Sequence, residues 1–242
     1  MLIVKKFGGK LLNTKERIFN VVNICKEDYE RGNDIILVLS AIGEKTDELI
    51  ENATNITKNF EKREMDMLLV TGEQMAVSLV SMAFNKENLP ATSLNAFQVP
   101  IYTDSNYNDA EIVSIGTKRI KQELSKGNIV IVTGFQGIDK ENNYTTLGRG
   151  GSDTTAVAIA AKFNADKCEI YKDVDGVYDT DPKTNIYAKK YDEIGYDEML
   201  NLSNSGAKVL HNKSVEIAKK CDVPIFIKSM FTNEIGTVIK GC

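Results

Sequence analysis

Short runs of nearly unbroken apolar, β-branched residues recur along the whole chain, each separated from the next by a helical pattern. The runs are Leu2 to Val4, Ile35 to Leu39, Ile101 to Thr103, Ile129 to Thr133, Cys168 to Tyr171, Pro224 to Lys228 and Thr237 to Ile239. A strand with one face in water alternates apolar and polar residues, so continuous runs point to strands buried on both faces. Strands alternating with helices then predict a three-layer α/β/α sandwich around a mostly parallel sheet, with right-handed crossovers. The clearest helical pattern is Ile18, Val21, Val22, Cys25 and Tyr29, entered through Asn13 with Glu16 three residues later and stopped by Gly32. Further helices are expected after Thr71, Ala110, Ser152 and Gly206. Met65, Met67, Met75, Met82 and Phe84 fall near helical spacing and read as core packing.

Length and composition narrow the function. With 242 residues the chain can bury a substantial core, and no internal repeat or linker divides it, so 1–242 reads as a single domain. A formal net charge of −4 lacks the electrostatic footprint of a nucleic-acid binder. No apolar run approaches a membrane span, and Met1 leads straight into a strand pattern without signal-peptide features. A soluble cytoplasmic protein is expected, with neither nucleic acid nor membrane as partner. Four dispersed cysteines and one histidine, His211, argue against a zinc site or disulfide framework. His211 is expected to pack or cap a helix beginning near Gly206.

Glycine-bearing turns follow successive strands: Phe7-Gly8-Gly9-Lys10, Ser40-Ala41-Ile42-Gly43 and Gly134-Phe135-Gln136-Gly137. In open parallel sheets ligands bind beyond the carboxyl ends of the strands, so these turns are expected to share one site. Lys6 ahead of two glycines offers a point charge and backbone N–H groups to an anion. Leu147-Gly148-Arg149-Gly150-Gly151-Ser152-Asp153-Thr154-Thr155 sets three glycines around an arginine at a predicted helix start, with Ser152 or Asp153 as N-cap. Asp173-Val174-Asp175-Gly176-Val177-Tyr178, running on to Asp181-Pro182-Lys183, lacks the oxygen spacing of a calcium loop. No P-loop pattern occurs.

Together with Thr46, Thr71-Gly72-Glu73-Gln74, Thr103-Asp104-Ser105 and Gly206-Ala207-Lys208-Val209-Leu210-His211, these stretches resemble, in order and over essentially the whole chain, the catalytic domain of aspartate kinases in the amino acid kinase superfamily. The resemblance implies ATP and Mg²⁺ as cofactors, the metal arriving with ATP rather than in a protein metal site. It implies Lys6, Asp153 and Lys208 as catalytic residues, with Asp153 between and orienting the two lysines. Gly8, Gly9, Lys10, Ser40 and Gly43 would bind phosphate. Thr46, Glu73, Arg149, Gly150, Gly151 and Ser152 would hold the amino acid, Arg149 at its α-carboxylate and Glu73 at its amino group. Lys172, Asp173, Tyr178, Asp181, Lys183 and Lys208 would line the nucleotide. The amino acid lobe would span roughly 1–150, the nucleotide lobe roughly 151–242, and the chain would form a homodimer.

The chemistry agrees, because a substrate carboxylate is already ionised at neutral pH and needs no general base. Lys10-Leu11 stands where the family carries a small hydroxyl pair, Lys172 where it carries threonine, and Asn212 where it carries proline. The chain stops at Cys242, where family members continue into regulatory domains; a stand-alone kinase, a truncated chain and a subunit with a separate regulatory partner are all compatible. Aspartate is the expected substrate; another small carboxylate or amino acid, or a nucleotide-binding pseudokinase, is the alternative.

Overall fold

The computed structural model describes residues 1–180, 184–204, 209–232 and 234–241. In chain order its elements are β1 (Leu2–Phe7), a single 3₁₀ turn (Gly9–Leu12), α1 (Lys15–Glu30), β2 (Asp34–Leu39), α2 (Lys45–Ile56), α3 (Lys62–Lys86), β3 (Ala91–Leu94), β4 (Ile101–Thr103) and β5 (Ile112–Ile115). They continue with α4 (Lys118–Leu124), β6 (Ile129–Thr133), β7 (Gln136–Ile138), β8 (Tyr144–Thr146), α5 (Gly151–Phe163), β9 (Lys167–Lys172), β10 (Glu193–Gly195), α6 (Tyr196–Asn204), α7 (Asn212–Cys221), β11 (Ile225–Ser229) and β12 (Ile235–Lys240). The main sheet has eight strands in the order β10-β12-β11-β9-β1-β2-β6-β3, parallel except where β12 meets β11. A smaller sheet, β5-β4-β7-β8, lies beside it. The expected layered α/β fold is therefore present.

Side-chain alternation along the central strands divides the core in two. Val4, Ile36, Val38, Cys168 and Ile170 face the alanine-rich α5, with α6 and α7 beyond. Ile35, Leu37, Leu39, Phe7 and Tyr171 face α1 and α3, meeting Val21, Val22, Val80 and Phe84. Each such side chain, fully withdrawn from water, contributes on the order of 1.5–3 kcal/mol.

One buried polar cluster interrupts the second layer. Lys5 is fully buried and places its Nζ 2.5 Å from Glu169 Oε2 and 2.7 Å from Asp28 Oδ2. Tyr171 donates its hydroxyl to Glu169 at 3.0 Å and stacks on Phe7 with ring centroids 4.3 Å apart. These bonds tie β1, β9 and α1 together by charges that satisfy one another away from solvent.

Several local expectations change. The cap of α1 is Thr14, whose hydroxyl accepts the Arg17 N–H at 3.3 Å, rather than Asn13. No helix follows Ala110; the edge strand β5 comes first, because Ile112, Val113 and Ile115 are β-branched and pair with β4. Residues 205–208 lie outside the described residues, and the helix beyond them starts at Asn212, with His211 at its N-cap position making no side-chain cap bond.

α3 begins at Lys62, nine residues before the Thr71 expected to open it, and buries Met65 and Phe84, but Met67, Met75 and Met82 are exposed. Core packing therefore holds for Met65 and Phe84 but not for the other three. Residues 67, 71, 75, 79 and 82 form a separate, outward stripe of the same helix. By length and composition α3 would also suffice to cross a membrane, yet half of its apolar window is buried within the fold. Asp66 and Glu73 both lie on its buried face.

Candidate active site

β1, β2, β6 and β9 run parallel, so their carboxyl ends open on one rim of the sheet. From that rim emerge Gly8 and Gly9 after β1, Ser40 to Gly43 after β2, Gly134 and Phe135 after β6, and Asp173 after β9. The amino end of α5 reaches the same rim. Gly134 must be glycine for this approach, since a Cβ there would lie 2.7 Å from the Ser152 Cβ. Gly9 is equally constrained, because a Cβ would stand 2.1 Å from the Ala41 carbonyl oxygen.

Lys6 shares its face of β1 with Val4 and so points toward α5 rather than α1. There its Nζ lies 2.6 Å from Asp153 Oδ1. The other carboxylate oxygen, Oδ2, accepts from Lys172 Nζ at 2.7 Å. Burial alone would raise the Asp153 pKa, but Lys172 and Lys6 more than offset it and hold the carboxyl at about 2. Burial, partly countered by Asp153 and reinforced by Lys172, draws Lys6 below the ordinary lysine value.

The sequence assigned the N-cap of α5 to Ser152 or Asp153. Gly150, at φ +74°, occupies that position, and the helix starts at Gly151. Asp153 is thereby freed from capping and turned to the two lysines. Gly150 is held against His211, whose Cβ would be only 2.4 Å from a Cβ at that position.

Two cavities adjoin at these charges. The larger, about 330 Å³, is lined by Thr46, Glu73, Phe135 and Ser152, by Arg149 and its flanking glycines Gly148, Gly150 and Gly151, and by Ser40, Lys6, Asp153 and Lys172. The smaller, about 140 Å³, is lined by Gly8, Gly9, Lys10, Asp173, Lys6 and Lys172 among others. Lys6 and Lys172 border both. Within the larger cavity, Glu73 Oε1 accepts the Ala41 N–H at 3.1 Å, while Oε2 is buried without a hydrogen-bond partner. Burial, only partly countered by that N–H, pushes Glu73 up to about 8.

The structure therefore gathers Thr46, Glu73, Arg149, Gly150, Gly151 and Ser152 around one cavity and Gly8, Gly9, Lys10 and Asp173 around its neighbour. Ser40 belongs to the larger cavity rather than to the phosphate-sized one. Gly43 lines neither; it donates its N–H to the Gly9 carbonyl at 2.9 Å and so braces the turn. Tyr178 also lines neither, and bonds Asp175 at 2.9 Å. Lys208, Asp181 and Lys183 lie outside the described residues. Lys172, which stands where the family carries threonine, turns into the site, its side chain 19% exposed.

Two roles escaped the sequence reading, which placed Phe135 in a turn at the site without giving its side chain a part and did not single out Asp66. Phe135 walls the larger cavity with its backbone in the left-handed region at φ +69°, held there by the Thr155 hydroxyl, which accepts its N–H at 3.1 Å. Such a conformation is strained for an aromatic residue and marks a position fixed by its surroundings. Asp66, fully buried on α3, accepts hydrogen bonds from the N–H and side-chain amide of Asn108 and from the N–H and hydroxyl of Thr146, three residues before Arg149. A charged residue seven positions before Glu73, hence on the same helical face, was the available signal.

A lysine-flanked carboxylate at the rim of an open parallel sheet, set between a larger cavity and a smaller glycine-lined one, makes this the candidate active site of the chain. The chain belongs to the amino acid kinase family, whose sequence pattern matches residues 1–229. It is 49% identical over 239 residues to the aspartokinase of Bacillus sp. (strain MGA3), covering 99% of this chain and 58% of that relative. The chain thus spans little more than half of the relative's length. The crystal structure of aspartate kinase from Synechocystis superposes with a TM-score of 0.90 at 42% identity, over 100% of this chain and 40% of that one. The structure of E. coli aspartokinase III in complex with aspartate and ADP, 24% identical with a TM-score of 0.87 over 100% of this chain and 65% of that one, shares the fold.

Proposed function

We propose that this chain transfers the γ-phosphoryl group of MgATP to the β-carboxylate of L-aspartate, giving 4-phospho-L-aspartate and ADP. The observation that carries the reading is the pair of adjoining cavities bordered by Lys6 and Asp153, one of them containing the unpartnered Glu73 carboxylate oxygen. A buried acceptor without a donor calls for a cation, and the α-ammonium of an amino acid supplies one. Arg149 offers a fork to the α-carboxylate, with Thr46, Gly150, Gly151 and Ser152 completing the pocket. The similarity to aspartokinases supports aspartate as that amino acid.

On this reading the β-carboxylate oxygen attacks the γ-phosphorus, the bond to the β,γ-bridging oxygen breaks, and its electron pair leaves on ADP. No proton has to be removed from the acceptor. Catalysis then consists of alignment and of neutralising charge on the phosphoryl oxygens. Lys6 contributes there, with Asp153 orienting it, Lys208 acting from the other side, and Gly8, Gly9 and Lys10 receiving phosphate oxygens. Asp173, Tyr178, Asp181 and Lys183 are assigned to the nucleotide. Mg²⁺ enters on this reading as part of the substrate MgATP. Residues 1–150 serve mainly the amino acid and 151–242 mainly the nucleotide.

A homodimer in the cytoplasm completes the proposal. The exposed Met67, Met75, Leu79 and Met82 on one stripe of α3 support a partner surface, and the free thiols of Cys25 and Cys168 suit a reducing compartment. The test is ADP release from MgATP with aspartate, glutamate, N-acetylated analogues and other small carboxylates supplied singly. Turnover with aspartate alone is expected; turnover with a different carboxylate and none with aspartate would replace the substrate.

A further inference from the structure

We propose that Lys172 is a catalytic residue that contacts the transferred phosphoryl group together with Lys6, the two lysines forming a clamp held apart by Asp153. This inference rests on the phosphoryl-transfer reading above but not on the identity of the acceptor.

Three observations converge on it. First, Cys168 and Ile170 of β9 face α5, and alternation carries Lys172, two residues further, to that same face at the strand's end. Its ammonium therefore arrives beside Asp153 because of sheet register, not as a chance surface contact. Second, the charges do not cancel. Asp153 supplies one negative charge and Lys6 with Lys172 two positive ones, in side chains that are 5%, 7% and 19% exposed. A largely buried positive surplus is unfavourable until an anion arrives. Third, the surplus stands where the group must travel, because Lys6 and Lys172 alike border both the glycine-lined cavity and the amino-acid-sized one. Lys10, by contrast, borders only the smaller cavity and is exposed.

As the acceptor oxygen bonds to phosphorus and the bridging oxygen departs with its electron pair, negative charge stays on the three equatorial oxygens. Lys6 and Lys172 donate to these from two directions. Neither gives up a proton, so the step balances as phosphoryl transfer alone. Asp153, paired with each lysine through a different oxygen, fixes the spacing of the clamp before substrate arrives.

The experiment compares wild type with Lys172→Met, which keeps length and removes charge, and Lys172→Arg, which keeps charge. The probes are MgADP alone and MgADP with aluminium fluoride, a planar mimic of the phosphoryl group, with circular dichroism and thermal melting reporting the fold. Lys172→Met should hold MgADP within about threefold of wild type and lose at least ~30-fold for the fluoride complex, since only the second probe carries the transition-state charge. Lys172→Arg should recover most of that loss. An equal loss for both probes would make Lys172 a contact to the nucleotide tail, and no loss for either would leave it a structural partner of Asp153; each result overturns the proposal. ADP release by wild type with aspartate is run alongside. Its absence, with the fluoride selectivity intact, would remove the substrate assignment while leaving Lys172 in its role.

Discussion

Glu73 accepts the backbone N–H of Ala41 at 3.1 Å through Oε1, which anchors α3 to the turn after β2 and leaves Oε2 buried without a hydrogen-bond partner. The carboxyl is pushed up to about 8, against an ordinary value of 4.5, chiefly by burial. Between those two values the folded chain holds a proton that the unfolded chain has released, so stability falls as pH rises across that window, by an amount of order a few kcal/mol. Glu73→Gln should flatten the slope when thermal unfolding is followed from pH 5 to 8. An α-ammonium group binds the ionised form, so aspartate affinity should rise with pH up to about 8, with proton release on binding detectable by calorimetry in buffers of different ionisation enthalpy. A pH-independent affinity would contradict this role for Glu73.

Lys6→Ala should lower kcat by at least ~100-fold, because charge stabilisation of the moving phosphoryl is lost. Lys172 remains 2.7 Å from Asp153 in that variant, so the buried carboxylate is not orphaned. Its unfolding free energy should drop by only about 1–2 kcal/mol, less than the 3–5 kcal/mol typical of a stranded buried charge. Denaturant titration beside steady-state kinetics separates the two effects, and a near-normal kcat would remove Lys6 from the chemistry.

Neighbouring glycines should behave differently. Gly9→Ala drives a Cβ to within 2.1 Å of the Ala41 carbonyl oxygen, a backbone atom that cannot step aside, and should cost about 2–3 kcal/mol of stability. Gly8 has an ordinary φ of −78°, and its nearest neighbour for a Cβ is the flexible end of Lys6 at 3.5 Å. Gly8→Ala should fold normally yet raise the KM for ATP about tenfold by hindering the close approach of phosphate to backbone N–H groups. Equal melting temperatures for the two variants would refute the distinction.

Asp66→Asn replaces an acceptor of four hydrogen bonds with a group that presents its own N–H to some of those donors. A loss of roughly 2–4 kcal/mol is expected. Because Asp66 holds Thr146 just ahead of Gly148 and Arg149, the KM for aspartate should rise while the KM for ATP stays near wild type. Parallel changes in both would mean that the network supports the fold generally and not the amino acid pocket.

The strands at the heart of the main sheet were legible because a doubly buried strand must be apolar throughout; Ile129–Thr133 falls where the sequence put it, and Ile35 to Leu39 lies within Asp34–Leu39. The strands Gln136–Ile138, Tyr144–Thr146 and Ala91–Leu94 were not, being three or four residues long and too polar to stand out from turns. The rim of glycine turns was visible as spacing. What spacing could not convey was that Asp153 pairs with Lys172 as well as Lys6, because the register of β9 against β1 brings Lys172 there. The strain at Phe135 was hidden for a related reason. Its conformation is imposed by Thr155, twenty positions away in the sequence and adjacent only once α5 has packed.

Lys5 and Lys6 are adjacent in sequence and point to opposite faces of β1, one into the cluster with Asp28 and Glu169, the other to Asp153. A slip of β1 by one residue would turn each to the opposite face, setting one lysine in the other's place and the second where Val4 or Phe7 belongs, with Phe7 turned toward α5. One cation would then be buried away from any carboxylate built to neutralise it, a cost of about 3–5 kcal/mol against the ~5–15 kcal/mol by which such domains are stable. The paired lysines thus act as a proofreading device for assembly: a chain that has found its native strand pairing has, by the same act, aimed Lys6 at the place where phosphate is to be handled.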